Sequence, residues 1–227
     1  MSQPCPLGRC EGDGLLFDHA SNTAYDCECR PQVIARRRAR SLSAVIPKRY
    51  RHASFDRPPV TDIDAAIVSA TRRFVNSIEE KLDQGRGLSF MGPVGTGKTT
   101  LAMIVSRAAL DAGRTVAIYS LPDLLRKIRH TFDTGDHDDL FDRLTSVDLL
   151  HIDDIGAEQT TPWVLEELYS IVNARYEDQR SIVITTNIDD PEKLSEQITP
   201  RTVSRLVEMC DDVYVEGPDR RMEPHPA

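Results

Sequence analysis

The stretch Gly92-Pro-Val-Gly95-Thr-Gly97-Lys98-Thr99 constrains the fold more than any other part of this 227-residue chain. It follows the apolar run LSFMG (88–92) and opens an amphipathic segment from about Lys98 to Ala112. A loop this rich in glycine, set between a strand and a helix, curls so that its backbone N–H groups converge. The helix N-terminus adds partial positive charge at the same point. Such a turn is built to cradle phosphate. The expected contacts run through Gly92, Pro93, Val94, Gly95, Thr96, Gly97, Lys98, Thr99 and Thr100. Lys98 is placed to reach the β- and γ-phosphates of a nucleotide, and Thr99 to offer its hydroxyl to Mg²⁺.

The segments around this loop alternate in type. TVAIYS, VDLLHID and SIVITTN read as strands, each followed by a helical segment: from Pro122 to about Phe132, from about Pro162 to Asp178, and from about Pro200 to Met209. DVYVEG reads as a last short strand, and Ile63 to Leu82 as one helix with apolar residues at helical spacing. Strands alternating with helices of this length imply an α/β domain, a parallel sheet covered on both faces. The expected division is a small domain over 1–30, a basic linker over 31–60 and the α/β domain over 61–227.

A phosphate loop needs an acid at the end of a neighbouring strand. Leu149-Leu150-His151-Ile152-Asp153-Asp154 supplies two. Asp153 is expected to hold Mg²⁺ through water, and Asp154 to orient or deprotonate the attacking water. Aspartate in the second position is one methylene shorter than glutamate, which suggests slow hydrolysis. The strand Ser181 to Thr186 ends at Asn187, a polar tip placed to help hold that water; Asn-x-Asp-Asp-Pro is also good turn chemistry.

Four of the five cysteines, Cys5, Cys10, Cys27 and Cys29, fall in the first 29 residues, a segment too poor in apolar residues to form a core unaided. No apolar export signal precedes them, so thiolate-bound zinc is favoured over disulfides. His19 is a substitute ligand or a solvated loop residue. Cys210, in LVEMC, reads as a small core residue. No apolar run approaches the roughly 20 residues that span a bilayer, so a cytoplasmic protein without a membrane partner is expected. The net charge of -8 argues against wholesale coating of nucleic acid. Yet Arg30, Arg36, Arg37, Arg38, Arg40, Lys48, Arg49 and Arg51 occur with no acid among them. This arm reads either as a solvated linker or as a phosphate-contacting segment.

Taken in order, the phosphate loop, acid pair and polar-tipped strand resemble AAA+ ATPases. IPKRYRHASFD (46–56), LLHIDDIGAE (149–158), LEELYSIVNARYEDQRSIVITTN (165–187) and PRTVSRLVEMCDDVYVEGPDRR (200–221) resemble the DnaC/DnaI-type helicase loaders and their IstB-like relatives. The cysteine-rich start is similar to the zinc-binding front end of DnaI-like and phage-encoded loaders. The resemblance implies an ATP-dependent homo-oligomer in which one subunit's arginine enters its neighbour's ATP site. Arg205 is the first choice and Arg201, four residues before it, the second. Only about a dozen residues follow the last strand, too few for the helical lid of most AAA+ proteins, so the lid arginine is expected to be absent or replaced, with Arg220 and Arg221 approximating it. A replicative DNA helicase and single-stranded DNA are the implied partners. Arg126, Lys127, Arg129 and His130, alongside Phe132, form a candidate DNA-contacting patch or a solvated helix face. An IstB-like transposition helper and a barely hydrolysing ATP-binding adaptor are the alternatives. The cysteine-rich start favours the loader.

Overall fold

The computed structural model describes residues 5, 7–18, 23–31, 33, 46–156 and 161–221. His19 and the arginines at 36, 37, 38 and 40 lie outside these. A small antiparallel hairpin, β1 (Leu15–Asp18) with β2 (Thr23–Asp26), accompanies the N-terminal cysteines. The rest is a parallel sheet of five strands: β3 (Gly87–Met91), β4 (Val116–Ser120), β5 (Leu149–Ile155), β6 (Ser181–Thr186) and β7 (Cys210–Tyr214). Their order is β4-β5-β6-β3-β7. The phosphate-loop strand β3 therefore sits between β6 and β7. In open sheets of this kind, ligands bind beyond the carboxyl ends of the strands, where the strand order reverses.

Both faces of the sheet are covered, because the central strands alternate side chains of the same apolar character. Leu149 and Val183 face α1 (Ala65–Asn76), α2 (Ile78–Asp83) and α3 (Lys98–Asp111), in a core that includes Phe74, Phe90, Leu101 and Val105. Leu150, Ile152, Ile182 and Ile184 face the opposite layer. That layer is α4 (Leu121–Thr134), α5 (His137–Ser146), α6 (Pro162–Glu177), α7 (Pro191–Ile198) and α8 (Pro200–Met209). Cys210 is buried in the same core, as expected of a small apolar residue.

Three differences from the sequence expectation have local causes. The single helix expected over 63–82 is two, broken at Ser77, whose hydroxyl donates to Arg73 O at 3.1 Å. A serine there offers the backbone an alternative partner. Phe74, Ile78 and Leu82 are buried on both sides of the break, so the apolar spacing alone did not reveal it. Helix α5 lies in the acidic stretch and buries only Leu140 and Leu144. Helix α7 follows the Asn-x-Asp-Asp turn, with Asp190 capping Glu192 N at 2.9 Å. Both are short helices with sparse apolar positions.

Candidate functional site

The loop after β3 carries positive φ at Gly92 (131°), Gly95 (78°) and Gly97 (104°). At Gly92 a Cβ would stand 2.4 Å from Val215 O, so the strand-to-loop bend admits only glycine. Gly97 caps α3, which begins at Lys98. The Lys98 ammonium is buried and donates to Gly92 O at 2.8 Å and Pro93 O at 2.6 Å. Burial lowers its pKa, while the charges of Asp154 and Asp153 oppose that shift.

The acid pair ends β5. The β5–β6 register slips between Ile152 and Ile155, and Asp154 occupies the left-handed region at φ 58°. This bulge turns two consecutive carboxylates toward one cleft instead of opposite faces. Thr185 holds the bulge: its hydroxyl donates to Asp153 Oδ1 at 2.7 Å and accepts from Asp154 N at 2.9 Å. For Asp153, burial pushes the carboxyl up, but contacts with His151, Thr185 and Thr99 hold it below its ordinary value. Asp154 is raised, first by burial and then by the charge of Asp153, with Lys98 and an Asn187 hydrogen bond pulling the other way. Of the expected residues, Lys98, Thr99, Asp154 and Asn187 line one opening, and Asp153 lies behind it in contact with Thr99.

Two site neighbours went unread in the sequence. Thr185 is visible only through register, because Ile152 pairs with Ile184 and the next residues meet at the bulge. His151 is fully buried under Asp153: Nδ1 lies 3.0 Å from Ser106 Oγ on α3, and Nε2 3.8 Å from Asp153 Oδ1. Inside an apolar strand a histidine looks like a packing residue; only its alternation onto the α3 face gives it this contact.

The opening is a cleft of about 780 Å³, the size that holds a nucleotide. One wall is the phosphate loop with Asp154 and Asn187. The opposite wall is Arg49, Tyr50, His52, Arg57, Pro58 and Pro59, from the segment the sequence presented as the end of a basic linker. Arg107 on α3 ties this wall down by donating to Ala53 O at 2.7 Å and to Tyr50 O. Arg220 braces the loop from the far end, donating through Nη1 to Thr96 O at 2.7 Å, through Nη2 to Asp62 O at 2.6 Å and through its amide to Gly95 O. Arg221 lines the cleft beside Asp154. Among the described residues no helix follows β7.

Other expected residues lie apart from the cleft. Arg205, on α8, is half-buried against α6, and Arg201 is exposed. The candidate DNA patch is divided. Arg126, Lys127 and His130 line a groove with Asp136, Asp139 and Arg143, while Arg129 lies over Trp163 at 4.8 Å. Phe132 is 55% exposed and stacks on His137 at 4.4 Å.

The sulfurs of Cys5, Cys10, Cys27 and Cys29 all lie within 4.8 Å of one another. Individual separations are 3.4 Å (Cys10–Cys29), 3.6 Å (Cys5–Cys29) and 4.0 Å (Cys5–Cys27). Four thiolates at about 2.3 Å from a tetrahedral zinc stand about 3.8 Å apart, so this set fits the ion. Backbone N–H groups, that of Cys10 first, hold the Cys5 thiol down to about 6, where it is largely thiolate at neutral pH.

A family model described as IstB-like ATP binding protein matches residues 32–224. The chain belongs to that family. That family is one of ATP-binding proteins. Among curated proteins, the replicative helicase loader DnaC of Buchnera aphidicola subsp. Acyrthosiphon pisum (strain APS) is 27% identical over 144 residues, covering 62% of this chain and 57% of that one. The replicative helicase loader DnaI of Bacillus subtilis (strain 168) is 22% identical over 213 residues, covering 87% and 68%. The chain spans 46% and 57% of the first two curated relatives it matches. A crystal structure of the DnaC helicase loader superposes with a TM-score of 0.67 at 26% identity, over 74% of this chain and 99% of that one. The fold is that of the AAA+ P-loop ATPases. No helix of the described residues is long and apolar enough to cross a membrane.

Proposed function

We propose that this IstB-like protein is an ATP-hydrolysing loader that binds a replicative DNA helicase and assists its placement on single-stranded DNA. The observation that carries this reading is the pairing of a complete phosphate cleft with a four-thiolate cluster at the N-terminus. In this reading residues 1–30 are a zinc-binding unit that grips the helicase, 31–60 a basic linker and 61–227 the ATPase domain.

The chemistry follows from the cleft. The loop N–H groups and Lys98 bind the phosphates, and Lys98 exchanges its bonds to Gly92 O and Pro93 O for phosphate oxygens. Thr99 and Asp153 would hold Mg²⁺, which would supply positive charge to offset that of the phosphates. Asp154, with Asn187 beside it, orients the attacking water and accepts its proton. Arg205 of a neighbouring copy, with Arg201 as second choice, stabilises charge on the transferring phosphoryl group. Arg221 is the better placed of the two terminal arginines to approach the phosphates, because Arg220 is engaged with the loop backbone. The groove of Arg126, Lys127 and His130, with exposed Phe132 nearby, is suited to backbone phosphates and base stacking.

A transposition-helper role, sharing the ATPase core, is the second reading, since the chain belongs to the IstB-like family. The thiolate cluster weighs toward the loader. Size-exclusion chromatography with the replicative helicase of the same source, with and without ATP, separates the two. A complex lost on deleting 1–30 supports the loader, and no complex with folded, ATP-bound protein supports the helper.

A further inference from the structure

The arginine expected to act in trans is held in an unusual way. On α6, Tyr169, Asn173 and Tyr176 share one helix face at four- and three-residue steps, and Arg205 of α8 lies against that face. The guanidinium carbon is 4.9 Å from the Tyr169 ring centre and 5.4 Å from that of Tyr176. Between the rings, Nε donates to Asn173 Oδ1 at 2.6 Å, and Nη1 donates to Arg201 O at 3.3 Å. The amide of Asn173 is itself oriented, since its Nδ2 donates to Glu177 Oε1 at 3.0 Å. The Tyr176 hydroxyl bonds Glu208. Among the described residues no carboxylate forms an ion pair with Arg205, and Nη2 carries no bond.

Every partner of this guanidinium is neutral. Two ring faces, an amide oxygen and a backbone carbonyl fix its plane and direction while leaving its full positive charge. An arginine that merely covers surface would be served better by a carboxylate at position 173, which accepts the same hydrogen bond and cancels the charge. Arg201, one turn earlier, is exposed.

We propose that Tyr169, Asn173 and Tyr176 are positioning residues that aim the Arg205 guanidinium, undiminished in charge, at an anionic group on a second copy of this chain. This rests on the reading of Arg205 as the trans-acting arginine. The anion is then the terminal phosphate of the neighbour's ATP.

The test compares MgATP turnover of the full-length assembled protein in R205A, N173A and N173D, each checked for unchanged melting temperature. Misplacing a catalytic group by about 1 Å can cost on the order of 100-fold. The expected result for N173A is a fall in kcat of about 10- to 100-fold with KM for ATP unchanged. N173D keeps the acceptor but pairs the guanidinium with a carboxylate whose charge offsets it, and it is expected to lose at least about tenfold as well. Mixing supplies the second readout. R205A subunits, whose own ATP sites are intact, regain turnover when mixed with K98A subunits, which donate Arg205. A K98A/N173A donor restores about tenfold less. Wild-type turnover in N173D, or full rescue by K98A/N173A, overturns the positioning role while leaving Arg205 in place. Unchanged turnover in R205A removes the trans-acting arginine itself.

Discussion

Asp153 and Asp154 are neighbours in sequence and share a residue type, yet their surroundings drive them apart. Asp153 is held low by His151, Thr185 and Thr99 against the effect of burial, whereas burial and the charge of Asp153 raise Asp154. A pair split in this way suits a metal-holding carboxylate beside a water-orienting one. Because Asp154 must be ionised to accept a proton, turnover is expected to fall on acidification. Its midpoint should lie above the ordinary aspartate value of about 3.9. A kcat–pH profile flat down to that value would count against this role for Asp154. Thr185 is the companion case. In Thr185→Val the Asp153 carboxylate and the Asp154 N–H both lose their partner at nearly constant volume. A buried polar group left unpaired costs about 1–3 kcal/mol. The melting temperature should drop modestly, and the Mg²⁺ concentration for half-maximal turnover should rise while nucleotide affinity, measured by calorimetry, changes little. An unaltered Mg²⁺ dependence would refute the assignment.

Among the elements, α6 does more than cover the sheet. Arg175 on its inner face is fully buried, and its guanidinium donates to Leu144 O at 2.7 Å, Val147 O at 2.9 Å and Ser181 O at 2.6 Å. It thereby gathers the end of α5, the approach to β5 and the start of β6. Burial lowers its pKa to about 9, with Asp148 and Asp178 opposing the shift, so it stays charged at neutral pH. Arg175→Met removes these donors together and strands several carbonyls. We expect a destabilisation on the order of 3–5 kcal/mol, read from denaturant unfolding followed by circular dichroism. A change below about 1 kcal/mol would mean that water enters and satisfies the carbonyls. The outer face of the same helix holds Arg205.

At the scale of the molecule, the N-terminal cluster and the ATPase sheet obtain stability from different sources. The sheet has two extensive apolar cores, whereas the cluster has Cys5, Cys27 and Cys29 buried with Leu16 and Val33 packed on them. With so small an apolar core among the described residues, a metal held by the four sulfurs would supply the folding free energy that packing does not. The purified protein should carry one zinc per chain by elemental analysis. Chelation or Cys27→Ser should unfold the N-terminal unit while the main thermal transition and ATP binding persist. Retention of hydrogen-exchange protection at 23–30 after complete zinc removal would contradict this.

Local features were legible in the order of residues. Gly92, Gly95 and Gly97 before Lys98 announce the phosphate loop because positive φ and close backbone approach demand glycine. The alternation of apolar strands and helices implied the parallel sheet, and the clustered cysteines implied a set of ligands, whose four sulfurs the fold brings together. Contacts that depend on register and chain return were not legible. That Thr185 meets Asp153 follows from a bulge in β5, and that His151 reaches Ser106 follows from which strand face meets α3. Arg107, distant in sequence from Tyr50 and Ala53, pulls their carbonyls into a cleft wall. The tyrosine holder of Arg205 exists because α6 and α8 pack side by side. Motif chemistry is written within a few residues by backbone geometry and ligand type. The orientation of each group and the neutrality of its surroundings arise only when segments far apart in the chain are packed together.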